Sequence, residues 1–204
     1  MKNGEVVHEL AATAVIGGGT MGAGIAQVLL GTIGVSLVQL IESDDESLTR
    51  AVDRVRHGLE RQHRKADDSE TLVDTAMRRL LPRVGIGSDA SVDLVIEAVP
   101  EVTSLKATVL ADASQAWPGA LIASNTSSPS VTELAKAVAP GSAFIGLHFF
   151  NPASRSKLVE IVRPDDCEPA TVEKARTWVA RLGKESIEVV DSPGFATDVE
   201  RNVK

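Results

Sequence analysis

One short stretch of the sequence, GLHFFNP at residues 146–152, contains a residue that could move a proton. An imidazole titrates near neutral pH, so it can take up a proton in one direction of a reaction and return it in the other. His148 is therefore a candidate general base. The alternative is a core histidine whose ring nitrogens are satisfied inside the fold, and this stretch alone leaves both interpretations open.

A glycine-rich turn lies near the N-terminus, where IGGGTMGAG at residues 16–24 contains Gly17-x-Gly19-x-x-Gly22. Glycines in this pattern let the backbone approach a pyrophosphate, and the N-terminus of the following helix adds N–H groups and a favourable dipole. The pattern alone is weak because many tight turns use glycine, but here it follows a predicted strand and opens a predicted helix. A plain strand-to-helix turn is the alternative. The predicted cofactor-binding residues of the turn are Gly17, Gly19, Thr20, Met21 and Gly22.

An acidic residue, Glu42, stands at the end of the second predicted strand, twenty residues after Gly22. A carboxylate at this place accepts a hydrogen bond from the 2'-hydroxyl of the adenosine ribose and repels a 2'-phosphate. The sequence therefore predicts NAD rather than NADP as the cofactor. Asp44 and Asp45 are close enough in the sequence to take the same role.

A basic tract, RAVDRVRHGLERQHRK, occupies residues 50–65 of a chain with a net charge of -7. Arg50, Arg54, Arg61 and Lys65 recur at spacings of four, seven and four, which places them near one face of a helix. Such a face is usually just solvated, but beside a nucleotide site it could bind a second phosphorylated ligand. Both interpretations remain open at this point.

The composition limits the classes of partner. The negative net charge argues against nucleic acid as a partner. The sequence has neither a signal-peptide pattern nor an apolar run of about 18 residues, so we expect a cytoplasmic protein with no membrane partner. The one cysteine, Cys167, lies in a polar stretch without a second cysteine, so we expect an incidental thiol and no metal site.

Strand-like apolar runs alternate with segments of helical period along the chain. The predicted strands are TAVIGGG, VSLVQLIE, DLVIEAV, ALIASN, AFIGLHFF, KLVEIV and SIEVVD. Helices are predicted after the glycine turn, at about 45–64, in a further piece that runs up to Leu81 and is ended by Pro82, and near 104–116, 130–138 and 170–182. This alternation predicts an α/β fold of the doubly wound Rossmann type, with a mostly parallel sheet, in one domain over residues 1–204.

Four separated motifs, VIGGGTMGAGIAQV, LVIEAVPE, SNTSS and GLHFFNP, occur in this order and spacing. Together they resemble the NAD-binding domain of the 3-hydroxyacyl-CoA dehydrogenase family, which includes the 3-hydroxybutyryl-CoA dehydrogenases. The resemblance extends from Thr13 to Phe195, and it is specific because several motifs agree.

The resemblance implies a role for each matching residue near the reacting carbon. His148 matches the family's general base, which removes the proton of the 3-hydroxyl group while hydride passes to NAD. Glu160, twelve residues later, matches the glutamate that orients the imidazole. Ser127 matches a serine that binds the substrate oxygen near the nicotinamide, and Asn151 matches an asparagine that holds the acyl carbonyl or hydroxyl group. Without the resemblance, Ser127 and Asn151 would read only as turn residues.

The resemblance also implies ligand contacts for three further residues. Glu101 and Lys106, in PEVTSLK, match residues that contact the nicotinamide-ribose side of NAD. Judged alone, they look like a capping acid and a surface lysine. Lys65 matches a lysine that contacts coenzyme A, which gives the phosphate interpretation of the basic tract the same weight as the solvated one, and the resemblance implies an acyl-CoA substrate.

Two departures from the family pattern leave alternatives open. Asp198 and Val199 follow PGF where the family has asparagine and usually arginine, and an acid there would change the hydrogen bonding near the active site. The family also has a helical C-terminal domain that the 204-residue sequence does not contain. Three hypotheses follow: an (S)-3-hydroxyacyl-CoA dehydrogenase, a related dehydrogenase of a free hydroxy acid or carrier-protein thioester, and an NAD-binding module without turnover of its own. For the protein partner, a homodimer with a second copy of the chain and a separate C-terminal domain both remain open.

Overall fold

The computed structural model describes residues 10–87 and 91–191 of the chain. The strands are β1 (Ala11–Ile16), β2 (Val35–Glu42), β3 (Leu80–Val84), β4 (Leu94–Glu97), β5 (Leu121–Ser124), β6 (Ala143–Phe149), β7 (Leu158–Arg163) and β8 (Glu185–Val190). The helices are α1 (Thr20–Leu30), α2 (Asp45–His63), α3 (Ser69–Met77), α4 (Thr103–Ala116), α5 (Val131–Ala135) and α6 (Pro169–Arg181).

The strands form one eight-stranded sheet in the order β3-β2-β1-β4-β5-β6-β7-β8. Every neighbouring pair is parallel except β6 and β7, which are antiparallel. The chain builds outward from β1 in one direction and then from β4 in the other, so the strand order reverses between these two strands. Open α/β sheets bind ligands at such a reversal, beyond the carboxyl ends of the strands. The predicted doubly wound, mostly parallel Rossmann-type fold is confirmed.

Apolar side chains on both faces of the sheet explain why the central strands are continuous hydrophobic runs in the sequence. All four residues of β4 and all four of β5 are buried. One face packs against α1, α2 and α6, with Ile25, Val55 and Val179 as buried examples. The other face packs against α4 and α5, through Leu110 and Leu134 among others. The sheet is therefore the middle layer of a three-layer domain.

The strand β3 corrects one sequence prediction. The sequence predicts a helical piece up to Leu81, but α3 ends at Met77, and residues 80–84 pair with β2 instead. Pro82 lies opposite Leu40 in this pair. Proline lacks an N–H group and so does not fit between two strands, but it is tolerated on an edge strand, whose outer side needs no partner. Pairing with β2, rather than the helix-ending tendency of proline, decides the local structure.

The described residues contain no helix that is long and apolar enough to span a membrane. The longest helix, α2, has 19 residues and carries charged side chains along most of its exposed surface. The predicted incidental thiol, Cys167, is partly buried, and burial raises its pKa.

Candidate active site

The glycine turn between β1 and α1 combines close backbone packing with one open position. Gly17 has a φ of +93°, and a Cβ there would lie 2.8 Å from the carbonyl oxygen of Ala98. A Cβ on Gly22 would lie 1.7 Å from the carbonyl oxygen of Gly17, so this glycine allows helix and strand to pack closely. A Cβ on Gly19, by contrast, would have no protein atom within 4 Å, and no side chain caps the N-terminus of α1. The backbone N–H groups of this helix terminus and the open space at Gly19 fit a pyrophosphate.

A cleft of about 1140 Å³ opens beside this turn, along the carboxyl ends of β1, β2 and β4. Six of the predicted cofactor residues line it: Gly17, Gly19, Thr20, Met21, Glu42 and Glu101. Glu42 is held at the cleft wall because its Oε1 accepts a hydrogen bond of 2.6 Å from the backbone N–H of Gly18. The cleft therefore has glycine backbone at its centre and three carboxylates in its lining, those of Glu42 at the end of β2, Glu101 after β4 and Asp112 on α4.

The two other acids that compete for the role of Glu42 lie elsewhere. Asp44 is the N-cap of α2, where its Oδ1 accepts a hydrogen bond of 2.8 Å from the backbone N–H of Ser47. That hydrogen bond lowers the pKa of Asp44. Asp45 belongs to the first turn of the same helix. Among the described residues, Glu42 is the one of these three acids that lines the cleft.

His148 and Glu160 are brought together by the antiparallel pairing of β6 with β7, in which they are direct partners. The Nδ1 of His148 donates a hydrogen bond of 2.7 Å to Oε2 of Glu160. A carboxylate only accepts hydrogen bonds, so Nδ1 carries a proton, and in the neutral form of the ring the lone pair is then on Nε2. The Glu160 side chain is fully buried, and 11% of the His148 side chain is exposed. The imidazole is therefore nearly buried, and its orientation is fixed by the carboxylate.

Asn125 is a residue of this region that the sequence prediction missed. It follows β5 directly, lines the cleft, and is buried. Its Oδ1 accepts a hydrogen bond of 2.9 Å from the backbone N–H of Phe149, the residue after His148. The amide thereby ties the end of the histidine strand to the wall of the cofactor cleft. A polar residue placed directly after a buried strand is the signal that could have found it.

Glu101 and Ser127, predicted to be near the nicotinamide, are in contact with each other. Oε1 of Glu101 accepts a hydrogen bond of 3.1 Å from the backbone N–H of Ser127, and its Oε2 accepts one of 2.8 Å from the hydroxyl group of Thr126. The loop after β5 is therefore positioned by an acid from the loop after β4. Ser127 itself is partly exposed.

Lys106 is not the surface lysine that it resembles when judged alone, because only 1% of its side chain is exposed. Its Nζ donates hydrogen bonds to Oε1 of Glu97 at 2.9 Å and to the carbonyl oxygen of Val99 at 3.2 Å. Lys106 is absent from the described residues that line the cleft, and it lies beneath Glu101, whose Oε2 is 3.6 Å from Nζ. Glu97 is a second residue that the sequence prediction missed, because it ends an apolar strand and nothing near it in the chain indicates a partner.

The four basic residues that the sequence places near one helix face lie in three different environments. Arg50 pairs with Glu46 on the same helix, and Arg54 donates a hydrogen bond of 3.3 Å to the carbonyl oxygen of Gly18. Arg61 and Lys65 line a separate groove of about 1450 Å³ between α1, α2, α6 and the loop after β6. Among the described residues that line this groove, seven are cationic and none is acidic; they are Arg61, Arg64, Lys65, Arg155, Lys157, Arg181 and Lys184.

The groove adjoins the turn that follows His148. Lys184 donates a hydrogen bond of 2.7 Å to the carbonyl oxygen of Ala153 and a second one to that of Ser156, and burial lowers its pKa. Asn151 is exposed at the start of this turn. Asp198 and Val199 lie outside the described residues.

Residues 12–192 match the model of the family described as 3-hydroxyacyl-CoA dehydrogenase, NAD binding domain. The chain is 32% identical over 194 residues to the fatty acid oxidation complex subunit alpha of Pseudomonas putida, a match that covers 94% of this chain and 27% of that protein. The chain therefore spans about a quarter of the length of the curated relatives that it matches.

Two solved structures are also similar. The 3-hydroxybutyryl-CoA dehydrogenase of Escherichia coli K12 superposes with a TM-score of 0.83 at 35% identity, over 92% of this chain and 39% of that one. The (S)-3-hydroxybutyryl-CoA dehydrogenase PaaH1 of Ralstonia eutropha superposes with a TM-score of 0.83 at 32% identity, over 94% of this chain and 67% of that one.

Proposed function

This chain belongs to the 3-hydroxyacyl-CoA dehydrogenase family and contains its NAD-binding domain, and from that premise we propose that it serves the NAD-dependent interconversion of (S)-3-hydroxyacyl-CoA and 3-oxoacyl-CoA. The proposed substrate is 3-hydroxybutyryl-CoA, the compound class in the names of the two similar structures. The observation that carries the proposal is the buried hydrogen bond between His148 and Glu160 at the cleft end of the sheet.

His148 has the chemical form that the proposed reaction needs. With its Nδ1 proton held by Glu160, the ring can accept the proton of a hydroxyl group at Nε2. The resulting imidazolium is stabilised by the adjacent carboxylate, which lies in a buried environment where charge interactions are strong. In the reverse direction, the same ring returns the proton to the carbonyl oxygen.

NAD, when bound, supplies the acceptor for the hydride that leaves the carbon bearing the hydroxyl group. Gly17, Gly19 and Glu42 would hold its pyrophosphate and adenosine ribose. Ser127, which Glu101 positions, and Asn151 would hold the oxygen atoms of the substrate. These assignments are supported by the arrangement of the residues around one cleft and the adjoining turn.

The cationic groove supports a coenzyme A thioester over a free hydroxy acid. Coenzyme A carries a diphosphate and a 3'-phosphate, whereas a free hydroxy acid carries one carboxylate. Seven cations without an acid among the described lining residues suit the larger anion, and Lys65 is one of them. A groove leading to the turn that contains Asn151 would also align the thioester with His148.

The proposed activity is tested by NADH formation from (S)-3-hydroxybutyryl-CoA with the parent chain and with His148→Gln. We expect the substitution to reduce kcat by about 100-fold or more, the usual contribution of a general base. His57→Gln is the matched control, because His57 is exposed on α2 and its Nδ1 contacts the carbonyl oxygen of Asp53 at 2.7 Å, away from the cleft. Turnover of His148→Gln at the parent rate would remove His148 as the base.

The same assay separates the remaining hypotheses. A higher kcat/KM for the free acid or for a carrier-protein thioester than for the CoA thioester would replace the proposed substrate. If the chain binds NAD in calorimetry but transfers no hydride, adding a separately expressed C-terminal domain of a relative tests whether turnover needs a partner. Activity that appears only with this partner would support a partner-dependent dehydrogenase.

A further inference from the structure

Two acids and one lysine form a group that we call the acid–lysine cluster, in which Glu97 and Lys106 are buried beneath the cofactor cleft and Glu101 is exposed to it. The side chains of Glu97 and Lys106 are 0% and 1% exposed, and their ion pair has an Nζ–Oε1 distance of 2.9 Å. The Nζ of Lys106 is also 3.6 Å from Oε2 of Glu101. One ammonium group therefore stands between two carboxylates, with most of the cluster shielded from water.

The cluster is held rigidly at three places. The second oxygen of Glu97 accepts a hydrogen bond of 2.5 Å from the hydroxyl group of Ser124, and Oε1 accepts one of 2.7 Å from the backbone N–H of Val99. Glu101 holds the loop at Thr126 and Ser127 through both its oxygens. Because the Nζ of Lys106 is 2.9 Å from one carboxylate and 3.6 Å from the other, a change of charge on one member acts on the others at short range.

The cluster reaches the cleft at one point. Glu101 lines the cleft, and 40% of its side chain is exposed, whereas the other two members lie behind it. Glu42 lies across the strand reversal at the end of β2. A dinucleotide bound across such a reversal places its two nucleotides over the two halves of the sheet, so the half on the β4 side faces Glu101.

The two redox forms of the cofactor differ in charge at that half. The oxidised nicotinamide ring carries a positive charge that the reduced ring lacks. Two carboxylates and one ammonium leave the cluster with a net charge of minus one, which attracts the oxidised ring more than the reduced ring. The net charge of the cluster therefore influences which redox form of the cofactor binds more tightly.

We propose that Glu97 is a positioning residue that, by pairing with Lys106, leaves the negative charge of Glu101 uncompensated toward the cleft and so raises the affinity for oxidised NAD relative to NADH. Without the carboxylate of Glu97, Lys106 pairs with Glu101 alone and the cluster becomes neutral. The inference rests on the proposed binding of NAD in this cleft, but it is independent of the proposed substrate.

The test is the ratio of the Kd for NADH to the Kd for oxidised NAD, measured by calorimetry without substrate. We expect Glu97→Gln to lower this ratio by about threefold to tenfold, the effect of one unit charge acting across a water-filled cleft. Glu97→Gln combined with Lys106→Met restores a net charge of minus one at Glu101, so we expect the double variant to return to the parent ratio. A merely structural role for Glu97 would not be reversed by the second substitution.

Ser124→Ala is the matched control, since it removes a hydrogen bond to Glu97 but no charge, and we expect it to keep the parent ratio. Should Glu97→Gln fail to fold, Lys106→Met alone tests the opposite sign, because the cluster then has two uncompensated carboxylates and the ratio should rise. An unchanged ratio in folded Glu97→Gln, or a double variant that matches Glu97→Gln, would overturn the inference alone. A parent chain that binds neither form of the cofactor would overturn the proposed function as well.

Discussion

The Cα atoms of His148 and Glu160 are direct partners across the antiparallel pair of β6 and β7, so a separation of twelve residues along the chain becomes a side-chain hydrogen bond of 2.7 Å. Because direct partners in a sheet project to the same face, the register of this one pair determines whether the imidazole has a carboxylate beside it. The other strand pairs of the sheet are parallel. Parallel strands need a long crossover connection, so they could not make direct partners of two residues this close in the sequence.

This pairing predicts the effect of removing the charge from Glu160. Glu160→Gln keeps an oxygen that can accept from Nδ1 but loses the charge that stabilises an imidazolium. We expect kcat for hydroxyacyl-CoA oxidation to fall by about 100-fold while the Kd for NAD stays unchanged. Steady-state rates with calorimetry measure both. Glu60→Gln, an exposed glutamate of α2, is the control, and an equal loss of rate there would contradict the pairing as the cause.

The glycine turn predicts that alanine at either Gly22 or Gly19 weakens NAD binding, but that only alanine at Gly22 lowers the stability of the fold. Gly22→Ala places a methyl group 1.7 Å from a backbone oxygen, so we expect a lower Tm as well as lost NAD binding. Gly19→Ala meets no protein atom within 4 Å, so we expect the parent Tm with an NAD Kd raised about tenfold, because the methyl group occupies the place of the pyrophosphate.

Thermal unfolding and calorimetry on the two alanine variants give this comparison. Gly119→Ala is the control, since a Cβ there also has nothing within 4 Å and Gly119 lies outside the cleft lining. NAD binding by Gly19→Ala with the parent affinity would place the pyrophosphate elsewhere.

The cationic groove predicts a salt-dependent loss of substrate affinity. Lys65→Ala removes one of its cations, so we expect KM for the CoA thioester to rise about threefold to tenfold at low salt, with less effect at high salt. We expect no change in the Kd for NAD, which binds in the separate cleft. Arg50→Ala is the matched control because Arg50 pairs with Glu46 outside the groove. If both variants raise KM equally, the effect comes from net charge and the groove assignment is wrong.

Asp191 predicts a pH-dependent contribution to stability. Burial raises its pKa, but the hydrogen bonds from Ser130, Thr132 and Val131 outweigh burial, so its pKa is lowered from the ordinary value of 3.8. A carboxyl group whose pKa is lower in the folded state stabilises the fold above its unfolded pKa, and this stability is lost as the pH falls through the folded pKa.

We therefore expect Asp191→Asn to lower the Tm by about 2–4 °C at pH 7, the size expected for a helix cap, because Asp191 accepts hydrogen bonds from the backbone N–H groups of Val131 and Thr132 in the first turn of α5. The difference from the parent should shrink as the pH falls below 3.8 and on through the lower pKa of the folded state, where the parent carboxylate becomes protonated. Calorimetric unfolding of both chains across this range measures it. A difference that stays constant down to low pH would show that the charge of Asp191 contributes nothing.

Several features can be predicted from the sequence because each depends on residues close together in the chain. The glycine turn, the acid at the end of β2, and the buried strands β4 and β5 lie at the positions that the sequence predicts for them. Their signals are local: glycine where a side chain would collide, apolar runs where both faces of a strand are covered, and polar residues where a strand ends.

Other features depend on which distant segments meet. Proline at position 82 indicates a helix end, yet pairing with β2 makes residues 80–84 an edge strand. Lys106 resembles a surface lysine in the sequence, yet the fold buries it between Glu97 at the end of β4 and Glu101 in the following loop. The cations of the groove come from three separated segments, of which the sequence pattern indicates only the one in α2 and the residues after it.

The sequence by itself therefore determined the kind of fold, its family, and the residue types available for chemistry. The tertiary structure decided which side chains contact each other. Glu160 is hydrogen-bonded to His148, Asn125 is hydrogen-bonded to the backbone of Phe149, and one buried lysine is paired with two acids. The physical reason is that backbone conformation and hydrophobic periodicity act within a few residues of the chain, whereas hydrogen bonds and ion pairs between side chains depend on strand register and helix packing, which only the assembled sheet sets.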